Sequence, residues 1–169
     1  LADEFRAMRD FTDMVTLHMI ENLNPDGTAL NRRGNANNVD LNRNFPAENF
    51  DTEDRRYGGE PLNQPESRIL HDLILRVQPD LVVVAHAWRG GHFINYDGDA
   101  ERSAILFSTL SDYSVRRSES ISPTPGSLGS WVGVDLGIPI LTLEYERGID
   151  PEEAWRQTRL AILAVILGD

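Results

Sequence analysis

The sequence predicts an α/β fold, a three-layer sandwich in which a mostly parallel, mixed central sheet is flanked by helices. Three observations carry that prediction. Leu81-Val82-Val83-Val84-Ala85 is a continuous apolar run, the pattern of a strand buried on both faces of a largely parallel sheet. The stretch from Gln64 to Val77 puts Ile69, Leu70, Leu73, Ile74 and Val77 on one helical stripe. Strand-like and helix-like patterns then alternate to the end of the chain, which implies helices packed on both faces of one sheet.

Taken in order, Leu1 to about Arg9 reads as a helix and Met14 to Asn22 as a strand. From Glu21 to about Asn63 neither the helical nor the strand period is present, and coil of that length in a compact domain is functional or disordered. Nine asparagines lie between Asn22 and Asn49. Asparagine tolerates left-handed backbone angles and bonds its own main chain, which favours a loop held in one irregular shape. The next helix stops at Pro79, and the Val-rich strand follows. Gly90-Gly91 leads to a short strand from His92 to Tyr96 and then a helix near Ala100 to Leu110. Pro123 to Ser127 turns the chain into a short helix ending at Gly137, and Ile138 to Tyr145 reads as a second buried strand. Pro151 opens a last helix from Glu152 to Leu167, with acidic residues in its first turn where the helix dipole favours them. All of this fits one domain spanning 1–169, with no internal repeat.

Composition removes several function classes. With 40% hydrophobic and 25% charged residues, the chain has an ordinary globular balance. A formal charge of −11 argues against nucleic acid as a partner, because phosphate binding needs a basic face, although an anion can still be held locally by arginine. There is no cysteine, so neither a disulfide framework nor a thiolate nucleophile is available. No apolar run approaches the ~18 residues of a membrane span, so no membrane partner is expected. The compartment stays open.

In open α/β sheets the ligand crevice lies beyond the carboxyl ends of the strands, and three predicted strands end in polar groups: Asn24 with Asp26, His86, and Glu144. Taken alone, His86 is ordinarily a core histidine bonded to a nearby carbonyl. Glu144 at the end of an apolar strand is desolvated, which raises its pKa toward neutrality and suits proton transfer; the plainer alternative is a surface pair with Arg147. Strand alternation puts Glu146 on the same face and so does not choose between the two glutamates. Arginines in polar loops, such as Arg32, Arg33 and Arg43, are most often simply solvated.

Asn24-Pro25-Asp26-Gly27, followed by Arg33-Gly34-Asn35-Ala36-Asn37-Asn38-Val39-Asp40-Leu41-Asn42-Arg43-Asn44-Phe45-Pro46, resembles the zinc metallocarboxypeptidases, the carboxypeptidase A-like family, and within it the compact bacterial branch that includes murein tripeptide amidases. Tyr57-Gly58-Gly59 with Pro65-Glu66, Ala85-His86-Ala87, Tyr96-Asp97-Gly98, Thr124 through Gly129 and Thr142-Leu143-Glu144 extend the likeness over nearly the whole chain in order. Asn38 stands where the pattern has Gly, a mild departure because Asn is the residue most able to take a positive φ.

The resemblance implies one zinc ion in the full-length protein, with His86 as a ligand, Glu144 as general base and acid, Arg33 stabilising the oxyanion, and Asn42 with Arg43 holding the free carboxylate of a peptide or peptidoglycan-derived peptide. A one-residue shift would exchange Arg32 and Arg33. Thr124 to Trp131 would line the side-chain pocket, whereas Asp26 and Asp40 read as loop scaffolding. Two further zinc ligands come, in such proteins, from a His-x-x-Glu motif some tens of residues before the Asn-Pro-Asp-Gly turn. Only 23 residues precede Asn24, so those ligands are expected upstream of Leu1 and the chain is expected to be N-terminally truncated. His18-Met19-Ile20-Glu21 satisfies the motif literally, yet on a strand residues three apart face opposite sides, which reads as an ordinary sheet histidine. A capping tyrosine about twenty residues before the glutamate has no counterpart; Ser120-Ile121-Ser122 stands there and Tyr113 lies further upstream. Taken alone, this chain is expected neither to retain zinc nor to hydrolyse peptides. Two other functions compete: a non-catalytic peptide- or carboxylate-binding module without metal, and an acyl-amino-acid hydrolase resembling succinylglutamate desuccinylase.

Overall fold

Four strands form a single sheet in the order β1-β4-β2-β3: β1 is Val82–Trp88, β2 Phe93–Asp97, β3 Ser114–Arg117 and β4 Ile140–Glu146. The computed structural model describes residues 1–8, 14–121 and 123–168. β1 pairs parallel with β4, β4 antiparallel with β2, and β2 parallel with β3, so the sheet is mixed with parallel pairing in the majority. Five helices accompany it among the described residues: α1 (Ala2–Ala7), α2 (Pro25–Ala29), α3 (Pro65–Val77), α4 (Glu101–Thr109) and α5 (Pro151–Leu167). None is long and apolar enough to cross a membrane.

Each face of the sheet has its own core. On one, Ile94, Leu141 and Leu143 pack against Ala104 and Phe107 of α4 and Ala161, Ile162 and Val165 of α5. On the other, Ile140, with Val82 and Val84, meets Ile74 of α3 together with Phe45, Leu128, Trp131 and Val132. The helix ends follow their sequence signals. Asp150 caps α5 by accepting from the Glu152 and Glu153 amides, Pro151 takes the first position, and Gly168 closes it at φ 79°. α3 ends at Gln78, which takes a left-handed φ of 48° directly before Pro79.

Two expectations about elements are corrected, and a further element, β3, is one the sequence did not announce. No strand forms between Met14 and Asn22 among the described residues; His18 to Asn22 are exposed. An apolar run becomes a strand only where a neighbour accepts its ladder of hydrogen bonds, and no described strand lies beside it. β1 is buried on one face rather than two: Val83, Ala85 and Ala87 are exposed, because β1 is an outer strand and α4 and α5 pack over the middle of the sheet. β3 carried no apolar alternation. It is a short edge strand with Arg116 and Arg117, charged in the manner that protects sheet edges.

The asparagine-rich stretch is coil with a dense internal framework. Asn35, buried, accepts from the Asn37 and Val39 amides through Oδ1 and donates through Nδ2 to Gln64 Oε1. Asn44, also fully buried, donates to the carbonyls of Tyr57 and Glu60 and accepts from the Gln64 amide. Asn38 stands at φ 61°, the backbone angle that glycine ordinarily supplies. These side chains tie the loop to itself and to Gln64 at the start of α3, and Asn42, in the short helical turn Leu41–Arg43, reaches His86 of β1.

Candidate active site

Residues in register on neighbouring strands share a face, and the sheet therefore presents three rows toward α3. His86 lies opposite Glu144, which lies opposite Phe93; Val84, Thr142 and Asn95 form the second row; Val82, Ile140 and Asp97 form the third. All of them except Val82 line one cavity of about 80 Å3, roofed by Asn42 and Leu128.

Asn42 is positioned by its neighbours. Asp40 Oδ1 accepts from its amide at 3.2 Å and so caps the turn that carries it. Its side-chain Oδ1 accepts from the Leu128 amide at 2.9 Å, which orients the amide group and aims Nδ2 at His86 Nε2, 3.2 Å away. Nε2 is thereby the acceptor, and the imidazole proton is assigned to Nδ1. Burial first, then the charge of Arg33, holds the His86 pKa below its ordinary value, with Asp40 opposing and Arg43 reinforcing. A neutral imidazole results, its one lone pair, on Nε2, engaged by the Asn42 amide. Burial also pushes the Glu144 carboxyl above its ordinary range, and Arg33 works against that shift.

Arg33 and Arg43 line a second, adjoining cavity of about 360 Å3, together with Gly34, Asn38, Asp40, Arg56 and Tyr57. Arg33 Nε donates to Asp40 Oδ2 at 2.5 Å, and Arg43 Nη1 donates to the Asn42 carbonyl at 2.6 Å. Arg32 does different work: its Nη2 donates to the carbonyls of Asn35 and Ala36, which ties the loop to itself.

Other residues singled out in the sequence lie elsewhere. Asn24 accepts from the Gly27 amide and donates to the Arg33 carbonyl, Asp26 is exposed, and neither reaches the cavities, so the anticipated convergence of three strand ends reduces to His86 and Glu144. Glu146 is exposed at the end of β4. Tyr113 is buried against His92, Phe107 and Tyr145. His18 and Glu21 are both exposed and belong to no strand. Of the segment expected to line a side-chain pocket, Thr124, Ser127, Leu128 and Gly129 line the 80 Å3 cavity, whereas Trp131 stacks on Phe45 and His71. Sequence reasoning missed Asn95, Asp97 and Thr142. Alternation was the available signal, since Thr142 is two residues from Glu144 and Asn95 and Asp97 follow Phe93 at the same period.

Among the described residues no group of three or more His, Cys, Asp or Glu side chains is placed to hold a metal ion. A catalytic zinc takes about three protein ligands, so the imidazole of His86 by itself does not fit one.

Comparison with known proteins gives this geometry a family. Zinc carboxypeptidase is the family that matches residues 1–124, and the chain belongs to it. Murein peptide amidase A of Escherichia coli K12 is 33% identical over 156 residues, covering 82% of this chain and 62% of that protein. Carboxypeptidase SOL1 of Arabidopsis thaliana is 46% identical over 105 residues, covering 60% of this chain and 20% of its own length. Among solved structures, murein-tripeptide amidase MpaA from E. coli O157 superposes with a TM-score of 0.69 at 31% identity over 86% of this chain and 65% of that one. A metallo-carboxypeptidase from Burkholderia cenocepacia shares the fold at TM-score 0.60 and 21% identity, covering 94% of this chain and 44% of its own. The chain thus spans under two thirds of the length of the murein amidases it matches.

Proposed function

We propose that the chain is the substrate-facing part of a zinc-dependent hydrolase that cleaves a peptide or amide bond next to a free carboxylate. The observation that carries this reading is the adjacency of His86 and Glu144 on paired strands, with Asn42 across from them and Arg43 beside it. Glu144, with its raised pKa, takes a proton from the attacking water and returns it to the leaving amine. Arg33 carries the charge that develops on the carbonyl oxygen, consistent with its influence on both His86 and Glu144. Asn42 and Arg43 hold the terminal carboxylate, the guanidinium through paired hydrogen bonds that a lysine cannot reproduce. His86 serves as one metal ligand in a set completed from outside the described residues. The likeness to murein peptide amidases supports a peptidoglycan-derived peptide as the substrate.

The absence of a metal-holding cluster among the described residues favours a second reading, a metal-free module that binds peptide acids through Asn42 and Arg43. Elemental analysis of the full-length protein separates the two. One zinc per chain, lost in His86→Ala, with hydrolysis of murein tripeptide, is the expected result. Metal-free protein that still binds a peptide acid without cleaving it establishes the module. Cleavage of acyl-amino acids in preference to peptides would instead place the activity with the desuccinylase-like hydrolases.

A further inference from the structure

We infer that Arg116, seated on the rings of Phe93 and Trp88 beside Glu144, sets the specificity of the cleft by receiving a carboxylate on the residue that precedes the scissile bond. The inference rests on the reading of Asn42 and Arg43 as the pair that holds the substrate's terminal carboxylate.

The seat of Arg116 draws on three strands. On β2, Phe93 lies opposite Glu144 and lines the smaller cavity. On β1, Trp88 comes two residues after His86, on the same face, and lies opposite Glu146. β1 and β2 flank β4, yet the two rings meet edge to face with centroids 5.2 Å apart, so the pair bridges β4 at its glutamate end. The loop after β1 fixes the indole: Nε1 donates to the Gly91 carbonyl at 2.9 Å, and a Cβ at Gly90 would come within 2.3 Å of Trp88 Cζ2. Arg116 of β3 lies opposite Asn95, on the face that carries Glu144. Its Cζ stands 4.3 Å from the centroid of Phe93 and 5.8 Å from that of Trp88.

A guanidinium held over aromatic rings keeps its N–H fork for another partner, and the group that fork fits is a carboxylate. Among the described residues no carboxylate forms an ion pair with Arg116. Its neighbour Arg117, on the opposite face of β3, pairs with Glu101 at 3.0 Å, and in the larger cavity Arg33 and Arg56 pair with Asp40 and Asp54. Position decides which part of a substrate Arg116 meets. Asn42 reaches His86 on β1, whereas Arg116 stands on β3, across Glu144 from that turn. A substrate anchored at Asn42 and Arg43, with its reacting bond at Glu144, therefore brings its acyl half to Arg116. There Glu144 and Glu146 repel an acidic side chain, and Arg116 supplies a cation that offsets them.

The test uses the full-length protein and N-acetylated tripeptides that are identical except for glutamate or glutamine before the carboxyl-terminal residue. In calorimetry the glutamate peptide should bind about tenfold or more tighter, as a charge-assisted hydrogen bond requires. The margin should shrink as salt is added, because Arg116 is exposed. In hydrolysis the same preference should appear in KM. Both margins should close in Arg116→Gln, and Arg116→Lys should recover only part of them, since an ammonium lacks the planar fork. Glutamine bound as tightly as glutamate by the wild type overturns the inference, and that comparison decides even if a variant fails to fold. A loss in Arg116→Gln that is equal for the two peptides also overturns it, as does a preference that follows the glutamate to the carboxyl-terminal position. Cleavage of both peptides without a preference overturns the inference and leaves the hydrolase standing. A glutamate preference in binding without cleavage of either peptide keeps the recognition and removes the hydrolase.

Discussion

Asn42 and Arg43 are adjacent in the chain, yet they serve cavities of opposite character. Asn42 faces the smaller one, which holds an imidazole and two carboxylates. Arg43 faces the larger one, where three arginines outnumber the carboxylate of Asp40. A single turn of 3₁₀-helix divides them. In a chain of net charge −11 the second cavity is a local exception to the overall field, and the contrast suggests a division of labour. The proposed function assigns a substrate's free carboxylate to the arginines and the bond beside it to Glu144.

The largest expected effect tests that division at the carboxylate side. Glu144→Gln keeps the shape and removes the proton carrier, and should lower kcat of the full-length enzyme about 10²- to 10⁴-fold with KM little changed. A rise in KM at constant kcat would move Glu144 from chemistry to binding. On the arginine side, Arg43→Lys keeps the charge and removes the planar fork; a loss of roughly 1.5–3 kcal/mol, about 10- to 100-fold in kcat/KM, is expected to appear in KM. Equal activity would mean that the larger cavity supplies only a general positive field. Between the cavities, Asn44→Ala strips the carbonyls of Tyr57 and Glu60 and the buried Gln64 amide of their partner and should destabilise the protein by about 2 kcal/mol in urea unfolding. If stability is unchanged, water replaces the side chain and the loop does not depend on it.

The parts of the molecule governed by local chemistry were legible in the sequence. α3 and α5 carry their prolines and apolar stripes in the sequence itself, α5 its Asp150 cap as well, and the framework of Asn35, Asn38 and Asn44 follows from what asparagine does to a backbone. What depends on a neighbour was not legible. The apolar letters from Met14 to Ile20 promised a strand, but a strand is a property of two segments and no described partner lies beside this one. The valines of β1 read as doubly buried because the sequence does not say that β1 is an outer strand. The same limit hid the place of Asp97 in the smaller cavity, which comes from an antiparallel register with β4 and from a glycine-bearing turn thirty-odd residues later that lies against it. Arg32 and Arg33 could not be told apart by type, and only their partners separate them, backbone carbonyls for the first and Asp40 for the second.

The smallest effect concerns how the two cavities sense each other. His86 has a depressed pKa, so the unfolded chain takes up its proton first; the stability due to the neutral ring is present above the ordinary 6.5 and is lost as pH falls toward the folded value. Glu144 has a raised pKa, so the opposite holds: its contribution is present below the ordinary 4.5 and is lost as pH rises through the folded value. Thermal melts should accordingly show His86→Gln gaining on the wild type as pH drops below 6.5, and Glu144→Gln gaining on it as pH climbs above 4.5. Arg33 lies in the larger cavity yet lowers both pKa values. Removing its charge in Arg33→Gln should raise them together, which NMR titration of the His86 ring reads directly, and the shift should shrink as salt is added because Arg33 is largely exposed. A His86 titration that ignores Arg33→Gln would show the two cavities to be electrostatically independent, leaving burial alone to keep the imidazole neutral.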